Sequence, residues 1–207
     1  MSGFVYLDFI GVALFAASGA LAASRKQMDI VGFIFLAVVT GVGGGTVRDL
    51  ILDVPVFWVE MQTYLLVTAG AGVAVYFTAP LLESRYAWLL WLDAVALAAY
   101  AVFGAAKGFA ITGSPMVAVA MGMLTGCFGG ILRDVIAGEP TVLMRREIYV
   151  SATALGAVVM VAAALIGLPD PVAAVLGFAA AFGVRAGALA YGWSLPVYRS
   201  RPGRDVG

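Results

Sequence analysis

The sequence predicts an all-α integral membrane protein with seven transmembrane helices. Six of them form an inverted three-plus-three repeat, and the seventh stands outside it. Three observations carry this reading. Of 207 residues 63% are apolar and 12% charged, half the roughly 25% of a soluble domain, and mean hydropathy is +1.02. Apolar runs recur at the roughly 20 residues that one bilayer crossing needs. Finally, the chain matches itself at one fixed offset, from Asp49 to Asp134, or 85 residues.

The spans follow from apolar runs and the charged residues between them. The first covers about Phe4–Ser24 and ends before Arg25 and Lys26; its start has no basic region and its run is too long for a signal peptide. Ile30–Leu52 is next, closed by Asp53. Gln62–Pro80 follows Glu60 and precedes Arg85. Ala87–Lys107, Pro115–Ala137, Ile148–Leu168 and Pro171–Tyr191 complete the set, with Arg145 and Arg146 before the sixth and Asp170 before the seventh. Trp58, Trp88, Trp91 and Trp193 fall near these ends, as do Tyr6, Tyr64, Tyr86, Tyr149 and Tyr191. Rings with an apolar body and a polar tip favour the headgroup level.

Basic residues set the orientation. Arg25, Lys26, Arg85, Arg145, Arg146, Arg199, Arg201 and Arg204 fall on one side, and Lys107 alone on the other. The positive-inside rule makes the first side cytoplasmic. The expectation is a multi-pass protein of the cell (inner) membrane, with its N-terminus outside and its C-terminus in the cytoplasm.

At the 85-residue offset Leu7-Asp8 falls on Leu92-Asp93, and Gly41-Val-Gly-Gly-Gly-Thr-Val-Arg-Asp49 on Gly126-Cys-Phe-Gly-Gly-Ile-Leu-Arg-Asp134. Pro55 and Tyr64 fall on Pro140 and Tyr149. Three helices per unit is odd, so the second unit enters from the opposite side. The expected organisation is a first repeat at 4–80, a second, inverted repeat at 87–168, a seventh helix at 171–191 and a cytoplasmic tail at 192–207. Function is expected where the two units meet.

Gly43, Gly44 and Gly45 lie inside span two, Gly129 and Gly130 inside span five. Adjacent glycines are kink sites, and the charges that follow favour a break or bend lining a watery path; the competing reading is close helix packing through small residues. Arg48, Asp49, Arg133 and Asp134 are expected to line the path, since charge inside a bilayer is costly and functional. Neighbouring helical positions point about 100° apart, which predicts swapped pairs, Arg48 with Asp134 and Arg133 with Asp49. The competing reading is snorkelling toward headgroups. Asp8 and Asp93, in first turns at opposite faces, are candidate acidic pore mouths, and Lys107 a candidate mouth residue. Arg185, between Gly183 and Gly187, is placed to hold the seventh helix to the bundle or to a neighbour.

Composition removes other chemistries. With no His and one Cys, imidazole bases, His or Cys metal sites and internal disulfides are absent, so neither an enzyme nor a resident metal is expected. Twelve Lys+Arg balance twelve Asp+Glu, giving no reason for a nucleic-acid partner.

On the paired Gly-Gly-x-x-Arg-Asp motif, the chain resembles the prokaryotic trimeric intracellular cation (TRIC) channels. The resemblance implies a homotrimer with membrane lipid as its surroundings and a pore inside each protomer between the repeats. It also implies passage of monovalent cations, chiefly K⁺ or else Na⁺, with no cofactor. Relatives described as glycine transporters supply the alternative, a secondary transporter of a small solute such as glycine.

Overall fold

The computed structural model describes residues 2–82, 84–145 and 147–196. Arg146 and the tail from residue 197, with Arg199, Arg201 and Arg204, lie outside the described residues, as does the side chain of Tyr6. All regular structure among the described residues is helical: α1 (Ser2–Arg25), α2 (Ile30–Ile51), α3 (Phe57–Glu60), α4 (Thr63–Thr78, continued by a 3-10 turn at Ala79–Leu81), α5 (Arg85–Thr112), α6 (Pro115–Ile136), α7 (Val150–Leu165) and α8 (Asp170–Tyr191).

The ends are set by local chemistry. Asp29, Ser84 and Ser114 each accept a hydrogen bond from the backbone N–H three residues on, and Pro115 starts α6 where a missing N–H costs nothing. Gly113 and Gly192 close α5 and α8 at φ 65° and 70°, a left-handed conformation that glycine adopts without penalty. Three differences from the expected spans stand out. The single-turn α3 occupies the connection before α4. α5 runs five residues past Lys107. α7 has 16 residues, roughly 24 Å of rise, because residues 142–145 and 148–149 turn or bend before it and Gly167, at φ 81°, ends it. Among the described residues seven apolar helices are nonetheless present, six of them long enough to cross a membrane.

α1 packs on α2, α4 and α5; α5 packs on α6, α7 and α8; and α2 crosses α6. The contacts repeat at the 85-residue offset. Gly19 faces Thr40 as Gly104 faces Thr125, and Gly41 meets the Thr68 methyl as Gly126 meets that of Thr153. At the α2–α6 crossing the relation is reciprocal: Gly44 lies on the carbonyl of Thr125, and Gly129 on that of Thr40.

Of the break or bend expected at the glycines, a break is absent. Both helices are continuous through Gly43–Gly45 and Gly129–Gly130, with no break. Gly44 and Gly129 let two backbones approach, while Gly43 sits against Leu132, Gly45 against the Phe57 ring and Gly130 against the Tyr149 hydroxyl. Close packing through small residues accounts for them.

Candidate functional site

Two half-sites follow from these contacts. α5 contributes to both: Asp93 near its start and Lys107 fourteen residues on, roughly 21 Å along the helix.

The first half-site gathers the early part of α1, the end of α2, α3, the start of α4 and the later part of α5. Asp49, fully buried, accepts from Arg48 Nε at 2.7 Å, from Lys107 Nζ at 2.9 Å and, through its other oxygen, from the Phe57 backbone N–H at 3.0 Å. Trp58 Nε1 donates to Thr46 Oγ1 at 2.8 Å and fixes α3 on α2. Asp8 accepts from the hydroxyls of Tyr64 at 2.6 Å and Tyr100 at 3.0 Å. Among the described residues no ammonium or guanidinium nitrogen lies within ion-pair distance of Asp8. A recess of about 300 Å³ opens here, lined by Asp8, Arg48, Phe57, Tyr64, Phe103 and Lys107. Two cations share Asp49 and none reaches Asp8, so the recess carries a net positive pole and a net negative one.

The second half-site lies toward the other end. Arg133, 1% exposed, donates from Nη1 to Asp93 Oδ1 at 2.5 Å and to Ser18 Oγ at 3.1 Å, and holds Asp134 Oδ1 at 3.0 Å through Nε and Nη2. Arg145 reaches Asp134 Oδ2 at 3.7 Å while donating to the Pro140 carbonyl and the Tyr86 hydroxyl. Each motif aspartate therefore carries its preceding arginine plus a second cation, Lys107 in one half and Arg145 in the other.

Several expectations are corrected. Arg48 and Arg133 pair with the aspartate that follows each of them, not across the repeat. An arginine stem is long enough to fold through the 100° between neighbours, and inversion puts the two motifs at opposite ends of the bundle, out of mutual reach. Neither arginine snorkels, being 6% and 1% exposed. Asp93 is the ninth residue of α5, buried and ion-paired rather than at a mouth. Asp8 is the seventh residue of α1 and does face a recess, beside Lys107, which lies inside α5 and not at its end. Arg185 joins α8 to the connection before α7.

Tyr64, Tyr100, Ser18, Arg145 and Glu147 complete the two half-sites and were not read as part of them. The tyrosine pair carried a usable signal, since Tyr64 and Tyr149 recur at the same offset as Asp8 and Asp93. The opposite end of the first half-site is a basic surface where Arg25 and Lys26 meet Glu139 at 3.6 and 3.0 Å and Arg25 covers the Tyr86 ring. Lys26 donating to Glu139 holds that carboxyl below its ordinary range. Among the described residues no cluster of acidic or sulfur side chains is arranged to hold a metal ion.

Comparison with known proteins agrees with this architecture. The family described as Glycine transporter matches residues 5–80 and again residues 90–165. The inner membrane protein YadS (UPF0126) of Escherichia coli K12 is 38% identical over 196 residues, 93% of this chain and 95% of that protein. A UPF0126 membrane protein of Vibrio cholerae is 37% identical, over 93% of this chain and 81% of its own length. Among solved structures, a TRIC trimeric intracellular cation channel orthologue from Rhodobacter sphaeroides superimposes with a TM-score of 0.90 and 49% identity, covering 93% of this chain and all of that one. A structure described in terms of conductance through TRIC cation channels gives 0.86 and 28%, over 97% and 99%.

Proposed function

This chain belongs to the family of the Glycine transporter model and the TRIC channels, and from that premise we propose that it is a cation channel of the inner membrane. Its path runs inside each protomer, between the units 4–80 and 87–168, and three protomers assemble as a homotrimer. K⁺ is the principal permeant ion. The basic end, with Arg25, Lys26 and Arg145, faces the cytoplasm, as the positive-inside rule requires.

One observation carries the reading. The arginines that would repel a cation are ion-paired in place, Arg48 with Asp49, which it shares with Lys107, and Arg133 with Asp93 and Asp134. Asp8 has no ion-pair partner among the described residues and is held toward an open recess by two phenols. A carboxylate so placed attracts a cation into a low-dielectric passage. Lys107, tethered to Asp49, stands where an entering ion must displace or pass it.

A second reading, a carrier of a small zwitterion such as glycine, is favoured by the family name and by the two poles of the recess. Reconstitution into liposomes separates the two. Stepwise K⁺ currents without saturable glycine uptake support the channel, and saturable uptake without currents overturns it.

A further inference from the structure

The two half-sites use matched residues and are wired differently. In the first, Tyr64 donates to Asp8, and Arg48 stays on Asp49. In the second, the hydroxyl of the matched Tyr149 is buried near Asp93 without a well-formed hydrogen bond to it, and Asp93 is taken by Arg133. The motif residues are the same in both, but their neighbours are not: at the 85-residue offset Tyr100, which also donates to Asp8, falls on Phe15, and Lys107, which takes Asp49, falls on Ala22.

The hold on Tyr149 differs as well. Arg185, the sixteenth residue of α8, is 1% exposed. Its Nη2 donates to Glu147 Oε2 at 2.7 Å, its Nη1 to the Ile148 carbonyl at 3.2 Å, and its guanidinium stands 5.1 Å from the centre of the Tyr149 ring. Glu147 also faces Arg145 at 3.8 Å, which faces Asp134. Charges thus alternate from α8 into the buried pair: Arg185, Glu147, Arg145, Asp134, Arg133, Asp93. The first half has no such chain, since the position matched with Glu147 is Gln62. The Tyr149 hydroxyl is nonetheless close to Asp93. The two oxygens lie 2.5 and 3.5 Å from the point where a β-carbon on Gly130 would stand.

We propose that Arg185 is a positioning residue that keeps the second half-site latched. Its grip on Glu147, the Ile148 carbonyl and the Tyr149 ring holds the phenol off Asp93 and leaves Asp93 to Arg133. On release, Tyr149 donates to Asp93 as Tyr64 does to Asp8, and Arg133 remains on Asp134 as Arg48 does on Asp49. The seventh helix, outside both repeats, therefore decides which of two pseudo-equivalent wirings the second half adopts. This concerns the wiring itself and holds for a channel or a carrier.

Cys127 allows a test that needs no transport assay. It is the single cysteine of the chain, buried, and its thiol donates to Thr153 Oγ1 at 3.4 Å, which donates to the Tyr149 carbonyl at 3.0 Å. Its reaction with N-ethylmaleimide, in purified protein of unchanged size-exclusion profile, reports on how Tyr149 is held. Arg185→Gln is expected to label about tenfold faster than the parent, because the Tyr149 phenol moves onto Asp93 and draws the Tyr149 carbonyl away from Thr153, opening the contact that covers the Cys127 thiol. Arg185→Lys should fall between the two. Tyr149→Phe alone should label at the parent rate, and Arg185→Gln combined with Tyr149→Phe should return close to it, because the new wiring needs the phenol oxygen. A parent-like rate in Arg185→Gln overturns the proposal. So does fast labelling that persists in the double variant, which would mean general loosening. Should Arg185→Gln not fold, Glu147→Gln gives the same comparison: a smaller acceleration abolished by Tyr149→Phe supports the proposal, and no acceleration overturns it.

Discussion

Replacing Gly44 by Ala separates a packed crossing from a hinge. A β-carbon at residue 44 would stand inside contact distance of the Thr125 carbonyl oxygen, 3.1 Å from its carbonyl carbon and 3.3 Å from its Cα. These are backbone atoms of α6 and cannot rotate away, so α2 and α6 must separate. Such overpacking costs about 1–3 kcal/mol, partly offset by about 1 kcal/mol of helix propensity that Ala gains over Gly. Gly70→Ala removes that offset from the comparison: Gly70 is also helical, and a β-carbon there meets nothing within 4 Å. The propensity gain is common to both, so the difference between the variants isolates the clash. At roughly 2–4 °C per kcal/mol for a chain of this length, Gly44→Ala should unfold about 2–12 °C below Gly70→Ala, followed by tryptophan fluorescence in detergent. Gly129→Ala, which meets the Thr40 carbonyl oxygen at 2.5 Å, should behave like Gly44→Ala. If Gly44→Ala unfolds at or above Gly70→Ala, the crossing is not what the glycine serves, and a bend that Ala would straighten becomes the better account.

Asp93→Asn should destabilise by about 3 kcal/mol, the lower part of the range for breaking a buried pair, because Arg133 keeps Asp134; Asp8→Asn, with no cation to strand, should change the unfolding temperature little while reducing cation current. Lys107→Met should raise single-channel K⁺ conductance, since Asp49 retains Arg48 and the Phe57 N–H while the tethered ammonium leaves the recess; an unchanged or lower conductance would count against the proposed route. The Glu139 bridge to Lys26 contributes at most about 1 kcal/mol. Because the folded pKa is depressed, this stability is present above the unfolded value of roughly 4.3 and disappears as pH falls through the lower folded value. Stability curves of the parent and Glu139→Gln should therefore differ at neutral pH and converge in acid.

The solvent of the protein, its seven apolar helices and the recurrence of Asp8, the glycines and the Arg-Asp pair were legible because bilayer burial and duplication both leave period and spacing in the chain. Pairing was not. Whether Arg48 meets Asp49 or a distant aspartate depends on how a long side chain folds back and on which end of a crossing it occupies, and neither is a property of spacing. The glycines illustrate the same limit: a hinge and a close crossing demand the same residue, and the reciprocal contacts of Gly44 with Thr125 and Gly129 with Thr40 decide between them. Tyr64 and Tyr149 read as interfacial anchors from their position near helix ends, although their recurrence with Asp8 and Asp93 held the clue to their partners. Arg185 could be seen as a charge needing a partner, yet Glu147 and the Tyr149 ring come from a connection whose path no periodicity encodes.

α7 has a consequence for the surrounding lipid. Its roughly 24 Å of rise falls about 6 Å short of the hydrocarbon thickness of a typical bilayer, and Leu155 and Val158 are 41% and 47% exposed on the single chain, so wherever that face is not covered by a neighbouring protomer this short helix meets acyl chains. The adjoining leaflets must draw in to meet it, at a cost of fractions of a kcal/mol for each ångström. The protein is thus sensitive to acyl-chain length on that flank. Shorter chains relieve the pinch beside α7, the element whose first turn follows directly from Tyr149.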